Sequence, residues 1–155
     1  MKIVIIGKRS FLSKSLNKLV PKSKLVSSNF IKNKKYLKKY IKNDTCYIIN
    51  SFYPLFKILG NKANNKEMIS QSVIYLTRLI ELFSKKKNIK ILYSSTCAVS
   101  DFNSNIYNSR SVYTSTKIIC EQLLKEYCKL NNTPLVITRL FNLYGGADKA
   151  SIKLL

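Results

Sequence analysis

Five short, almost wholly apolar segments recur along the chain: Ile3 to Ile6, Leu25 to Ser27, Tyr47 to Asn50, Ile89 to Tyr93 and Leu135 to Phe141. They lack the alternation of a half-exposed strand, so each predicts a strand covered on both faces. Helical patterns lie between them. Phe11, Leu12, Leu16 and Leu19 share a stripe that Pro21 ends, because proline cannot continue a helix. Tyr36, Leu37, Tyr40 and Ile41 form another. The most regular is Ile69, Val73, Leu76, Ile80 and Phe83, whose spacings of four and three keep the side chains on one face. A last helix is expected to carry Ile119, Leu123 and Tyr127 inward. The polar patch Asn61 to Lys66 reads as a loop before the long helix.

Strands alternating with helices predict an α/β fold with a doubly wound parallel sheet of the Rossmann class, because parallel neighbours need a crossover and helices supply it. No repeat, linker or second domain is visible, so residues 1–155 are expected to form a single domain. Length and a hydrophobic content of 46% fit one compact core. The opening MKIVIIG ends in Gly7-Lys8-Arg9 without a small-residue cleavage site and reads as a buried strand, not a signal peptide. No run approaches the ~20 apolar residues of a membrane-spanning helix. A soluble, cytoplasmic protein with no membrane partner is expected.

Cys46, Cys97, Cys120 and Cys128 show no C-x-x-C spacing, and the chain has no histidine. A zinc site or a Cys/His nucleophile therefore has nothing to be built from, no metal is expected, and reduced thiols are the simple reading. The net charge of +21 suits a polyanion, either nucleic acid or the phosphates of nucleotides and cofactors. The basic residues, however, follow ordinary amphipathic stretches such as Asn33 to Asn43 and the run Lys85-Lys86-Lys87, with no nucleic-acid motif beside them. They read as solvated helix faces, and nucleic acid is not the expected partner.

In a doubly wound sheet, ligands bind beyond the carboxyl ends of the strands, so those junctions carry the candidate chemistry. The first is Gly7-Lys8-Arg9-Ser10-Phe11-Leu12-Ser13. A dinucleotide turn wants glycine for its bend, then small residues where the backbone nears pyrophosphate, with amides at the helix start facing the anion. Ser10 and Ser13 stand where a G-x-x-G-x-x-G pattern has its other glycines. Taken alone, the same residues also suit a plain strand-to-helix turn. After the second strand, Val26-Ser27-Ser28-Asn29 offers no acid for the ribose hydroxyls of NAD. Ser27 or Ser28 can bond a 2′-phosphate and Lys8 or Arg9 can neutralise it, which favours NADP over NAD. The remaining junctions are Ser94-Ser95-Thr96 after the fourth strand and Tyr113 with Lys117, one helical turn apart.

Taken in order, the glycine turn, the "IINS" segment, the Ser-Ser-Thr strand end, Tyr113-x-x-x-Lys117 and Arg139-Leu140-Phe141-Asn142-Leu143-Tyr144-Gly145 resemble the extended short-chain dehydrogenase/reductase family of nucleotide-sugar epimerases, dehydratases and reductases. The resemblance runs from Met1 to about Gly146. It implies an NAD(P)-dependent domain acting on a nucleotide-linked sugar, with Thr96, Tyr113 and Lys117 as the catalytic set. Gly7, Ser10, Phe11, Leu12, Asn50, Ser51, Tyr113 and Lys117 would contact the cofactor, and Thr96 and Asn142 the substrate. An ammonium near a phenol is expected to lower its pKa so that Tyr113 can exchange a proton while hydride passes to or from nicotinamide. Arg139 is expected to be a structural partner. A homodimer through two helices, or a partner chain, is a further implication.

Two departures qualify the resemblance. The family's dehydratases place Asp-Glu after the catalytic threonine, where this chain has Cys97-Ala98, which points away from dehydration and toward reduction or 4-epimerisation. Family members also continue into a smaller substrate domain, whereas nine residues follow Gly146 here. The usual C-terminal substrate domain is therefore expected to be missing, leaving a non-catalytic NAD(P)-binding or assembly module as the alternative.

Overall fold

The structure is a computed structural model describing residues 1–33, 36, 39–50, 52, 64–103 and 112–141. Five strands, β1 (Lys2–Ile6), β2 (Lys24–Val26), β3 (Thr45–Ile49), β4 (Lys90–Thr96) and β5 (Leu135–Leu140), pair in parallel in the order β2-β1-β3-β4-β5. The chain steps one way from β1 to β2 and the other way from β3 onward. The order thus reverses between β1 and β3, and a crevice opens there at the carboxyl ends.

Helix α1 (Phe11–Leu19) packs on β1 and β2. Ser10 caps its start, Val20 closes its end by donating to the Leu16 carbonyl at 2.9 Å, and the helix stops before Pro21 as expected. Helices α2 (Asn65–Ile69) and α3 (Tyr75–Phe83), joined by a π-helical turn at Ser70–Ile74, pack with α4 (Val112–Leu130). Right-handed crossovers send the β1-to-β2 connection over one face and the later ones over the other, so α1 lies opposite α3 and α4.

The core sits between the sheet and the α3/α4 layer. Ile6, Tyr47, Ile49, Leu76, Phe83 and Leu124 are all fully buried, each contributing roughly 1.5–3 kcal/mol by leaving water. Tyr47 packs its ring 4.6 Å from that of Phe83 and satisfies its hydroxyl by accepting from the Lys42 amide at 2.7 Å.

Three packing expectations need correction. Ile69 is 45% exposed, and its neighbour Met68 is buried instead. A π turn holds roughly one residue more per turn than an α-helix, which rotates everything upstream by roughly 90° and substitutes Met68 for Ile69 on the core face. On α4, Ile119 is 46% exposed and Leu123 half-buried, while Thr116, Cys120, Leu124 and Tyr127 point inward. The buried stripe contains a threonine and a cysteine, small residues that a search for bulky apolar side chains passes over. Finally, among the described residues β5 is not covered on both faces, since Val136 at the sheet edge is 54% exposed. Leu37 and most of the Asn61 to Lys66 patch lie outside the described residues.

Candidate active site

Gly7 ends β1 with φ of 114°, a left-handed value that glycine adopts without a Cβ clash. The Gly7 and Lys8 amides donate to the Val26 carbonyl at 3.0 and 3.1 Å, binding the turn to the end of β2. Ser10 then takes an extended conformation and accepts from the Ser13 amide at 3.4 Å, capping α1. Phe11 and Leu12 occupy the first turn, where no intrahelical carbonyl reaches their amides, so the positive end of the helix faces the crevice.

Beneath this turn lies a buried polar chain. Asn50 Nδ2 donates to Ser13 Oγ at 2.7 Å, and Ser94 Oγ donates to Asn50 Oδ1 at 2.7 Å. Ser13, Asn50 and Ser94 are at most 5% exposed, and short hydrogen bonds offset the cost of burying their polar atoms. The chain ties α1, β3 and β4 together at the switch point. Lys117 extends it from the α4 side, its Nζ donating to the Ser94 carbonyl at 2.8 Å and standing 4.8 Å from the centre of the Tyr93 ring. Burial lowers Lys117 to about 8.

Tyr113 sits one turn before Lys117, half-buried, with the Thr96 side chain at the end of β4 near enough to its phenol to influence its titration. The Thr96 hydroxyl accepts from the Ala98 amide at 3.4 Å. The structure thus brings Thr96, Tyr113 and Lys117 to one side of the crevice. It corrects the expected electrostatics. Burial raises the Tyr113 phenol above its ordinary value, the nearby Thr96 side chain opposes that rise, and the Lys117 ammonium is turned to Ser94 and Tyr93 instead. At neutral pH the phenol therefore holds its proton.

Arg139 is the structural partner expected. Its Nε and Nη2 donate to the two carboxylate oxygens of Glu121 at 3.2 and 2.9 Å, and Nη1 donates to Ser100 Oγ at 3.3 Å. Burial pushes the Glu121 carboxyl up, but Arg139 and the nearby Lys125 outweigh it and hold the group below its ordinary value. This pair pins α4, and with it Tyr113 and Lys117, to the end of β5. Ser51 and Asn142 lie outside the described residues.

At the outer end of the crevice, an open cavity of about 370 Å³ is lined by Lys8, Val26, Ser27, Phe30, Tyr36 and Tyr40. Ser28 is buried. Sequence reasoning reached Lys8 and Ser27 but missed the aromatic wall, whose residues belong to a different segment. It also missed the partners of Asn50. A lone amide at the end of an apolar run is a signal that buried partners exist, without naming them.

A parallel doubly wound sheet with a helix-start turn at its switch point, and a lysine, a tyrosine and a threonine at the end of the neighbouring strand β4, defines a Rossmann-type α/β domain. The sequence model of the NAD dependent epimerase/dehydratase family matches residues 3–153, and the chain belongs to that family. No curated protein matches it. Among solved structures it is similar to the capsular polysaccharide assembling protein CapF from Staphylococcus aureus, at 24% identity and TM-score 0.66, covering 96% of this chain and 36% of that one. It is also similar to a UDP-N-acetylglucosamine 4-epimerase from Methanobrevibacter ruminantium, at 19% identity and TM-score 0.73, covering 93% and 56%. A UDP-glucose 4-epimerase from Brucella ovis in complex with NAD matches at 16% identity and TM-score 0.65, covering 91% and 52%. The chain thus spans between about a third and somewhat over half the length of these structures. Among the described residues, no helix is long and apolar enough to cross a membrane.

Proposed function

We propose that the chain is the cofactor-binding and proton-transferring part of an NAD(P)-dependent oxidoreductase or epimerase acting on a nucleotide-linked sugar. The observation that supports this is the Ser13–Asn50–Ser94 chain, which links the helix after the Gly7 turn to the Lys117 ammonium, with Tyr113 one turn away on the same helix as Lys117. The residues present fit a dinucleotide despite the lost glycines. Ser13 directs its hydroxyl to Asn50 under the turn, and the Ser10 hydroxyl folds back onto its own helix. The Phe11 and Leu12 amides would meet the pyrophosphate, and Lys117 the nicotinamide ribose. When bound, the nicotinamide supplies hydride chemistry.

The chain's own residues handle the proton. Tyr113, protonated at neutral pH, donates to a substrate oxygen that accepts a hydride, and Thr96 orients the phenol and hydrogen-bonds the same oxygen. In the oxidative direction Tyr113 must first lose its proton, so its phenol has to be lowered by charge brought into the crevice. Asn50 holds the turn and the Lys117 anchor in register from below. Ser51 and Asn142 are assigned to the cofactor and the substrate by their motif positions. The cavity beside Lys8 and Ser27 suits adenosine, its aromatic wall an adenine and its lysine a 2′-phosphate, which favours NADP. Exposed Ile69, Ile74 and Ile119 on the packed α2/α3 and α4 helices support pairing of two copies through that layer.

The test is conversion of UDP-sugars by the full chain with NADPH or NADH. Tyr113→Phe should lower turnover by roughly 10²–10⁴-fold and leave cofactor affinity within about twofold. Full activity in Tyr113→Phe would remove this reading. A second reading, a cofactor-binding module without turnover, is favoured by the serines, Ser10 and Ser13, that stand in the turn where the motif has glycines. Cofactor binding with no conversion by wild type, at any cofactor or substrate concentration, would select it.

A further inference from the structure

We propose that the end of the sheet opposite the crevice docks on the surface of an anionic phospholipid bilayer. In a parallel sheet every strand starts at that end and the intervening helices finish there. The turns entering β2, β3, β4 and β5 therefore share one surface. They are tightly built. Asp44, Asn88 and Asn132 adopt left-handed φ of 51°, 54° and 48°. The Lys2 amide donates to the Asp44 carbonyl at 3.1 Å, the Asp44 amide to the Lys87 carbonyl at 3.1 Å, and the Asn88 side-chain amide to the Asp44 carboxylate at 3.1 Å.

This surface is strongly basic. Lys2, Lys22, Lys42, Lys87, Lys90 and Lys129 are all exposed on it, against Asp44 in the turns and the exposed Glu81 and Glu126 near the ends of α3 and α4. It is also where the two most exposed large apolar side chains of the described residues stand. Leu19 ends α1 at 79% exposure and Leu130 ends α4 at 80%, each directly after a lysine, Lys18 and Lys129.

That pairing decides the partner. A leucine beside a lysine suits the headgroup boundary, where the leucine and the lysine stem enter the acyl edge while the ammonium stays at the phosphates. A nucleic-acid surface draws on arginine and on aromatic rings for stacking, and these four turns contain neither. Their amides are already engaged, Asn43 with the Lys87 amide and Asn131 with the Tyr127 carbonyl. Leu19 ends the helix packed on β1 and β2 and Leu130 the helix packed on β4 and β5, so they stand roughly 15 Å apart along the sheet, at about 4.8 Å per strand, and on opposite faces of it. A broad face with protruding corners fits a plane better than a cylinder. The lack of a spanning segment, on which the sequence reading set membranes aside, does not bear on such a contact, and the proposal stands without the enzymatic reading.

The experiment is co-sedimentation of the full chain with vesicles of phosphatidylcholine alone or with about 30% phosphatidylglycerol. Saturable binding is expected to the anionic vesicles, at least about tenfold tighter than to neutral ones and falling as salt rises from about 0.05 to about 0.5 M. Replacing Lys85, Lys86 and Lys87 together by glutamate should weaken it at least about tenfold. Leu19→Ser with Leu130→Ser should weaken vesicle binding about tenfold while leaving retention on heparin unchanged, a split that charge alone cannot give. Circular dichroism melts show that each variant is folded. The proposal is overturned by no vesicle binding, by equal binding to both vesicle types, or by tighter binding to RNA or DNA with the leucine variant behaving as wild type.

Discussion

Lys117 is held in the crevice at a measurable cost to the fold. Burial lowers its pKa from 10.5 to about 8, which at about 1.4 kcal/mol per pH unit means that keeping the ammonium charged in the folded chain costs about 3 kcal/mol. Lys117→Met retains the apolar stem and removes the charge, but leaves the Ser94 carbonyl without that donor, a loss of about 1 kcal/mol. The variant should therefore be more stable than wild type by about 2–3 kcal/mol at pH 7. The sign with pH follows from which state holds the proton. Between pH 8 and 10.5 the unfolded chain keeps a proton that the folded chain has released, so wild-type stability rises with pH relative to the variant. The gap is constant below about pH 8, then narrows and reverses toward pH 10.5. The assay is urea unfolding of both proteins at several pH values, followed by circular dichroism. Taking the difference cancels groups that Lys117 does not influence, Tyr113 among them, and a Cys120→Ser background in both proteins removes the thiol that it does. A variant less stable than wild type at pH 7, or a gap that does not move between about pH 8 and 10, would refute the reasoning. A charge kept where it weakens the fold points to use in the crevice.

Further outcomes follow from the same structure. Ser27→Asp puts an acid against the ribose end of the cavity and should lower the NADPH-to-NADH affinity ratio at least about tenfold, read by fluorescence titration; an unchanged ratio would place the 2′-phosphate elsewhere. Glu121→Gln removes the charge that Arg139 grips and should destabilise the chain by about 1–3 kcal/mol at pH 7. Because the folded Glu121 carboxyl lies below its ordinary 4.5, that contribution is present above the unfolded value and lost as pH falls through the folded one. Thermal melts of both proteins down that range should therefore converge, and a gap that persists at the lowest pH would contradict the assignment. Ile119→Asp on the outer face of α4 should convert a dimer to monomer in analytical ultracentrifugation, and an unchanged sedimentation coefficient would place the pairing elsewhere.

Much of this architecture was legible because burial and sequence agree. Ile3 to Ile6, Tyr47 to Asn50 and Ile89 to Tyr93 are apolar runs with no polar face, and they became adjacent central strands. Gly7, Thr96, Tyr113 and Lys117 were legible because each stands at a junction where a strand ends or a helix starts. What the pattern could not supply was geometry set by neighbours. Nothing in Ser70–Ile74 announces a π turn, so the face of α2 was misjudged by one residue. The direction of Lys117 was misjudged for a related reason: helical spacing brought it near Tyr113, but the Ser94 carbonyl and the Tyr93 ring, both on β4, decide where the ammonium points. The Ser13–Asn50–Ser94 chain joins three segments through side chains alone, and periodicity carries no trace of such a contact.

The most direct measurement is titration of the full chain with NADPH and NADH, following cofactor fluorescence. Saturable binding that Gly7→Val abolishes, that Lys117→Met weakens at least about tenfold, and that Tyr113→Phe leaves nearly unchanged is the predicted result. No saturable binding of either cofactor, or binding indifferent to both Gly7→Val and Lys117→Met, would contradict the account.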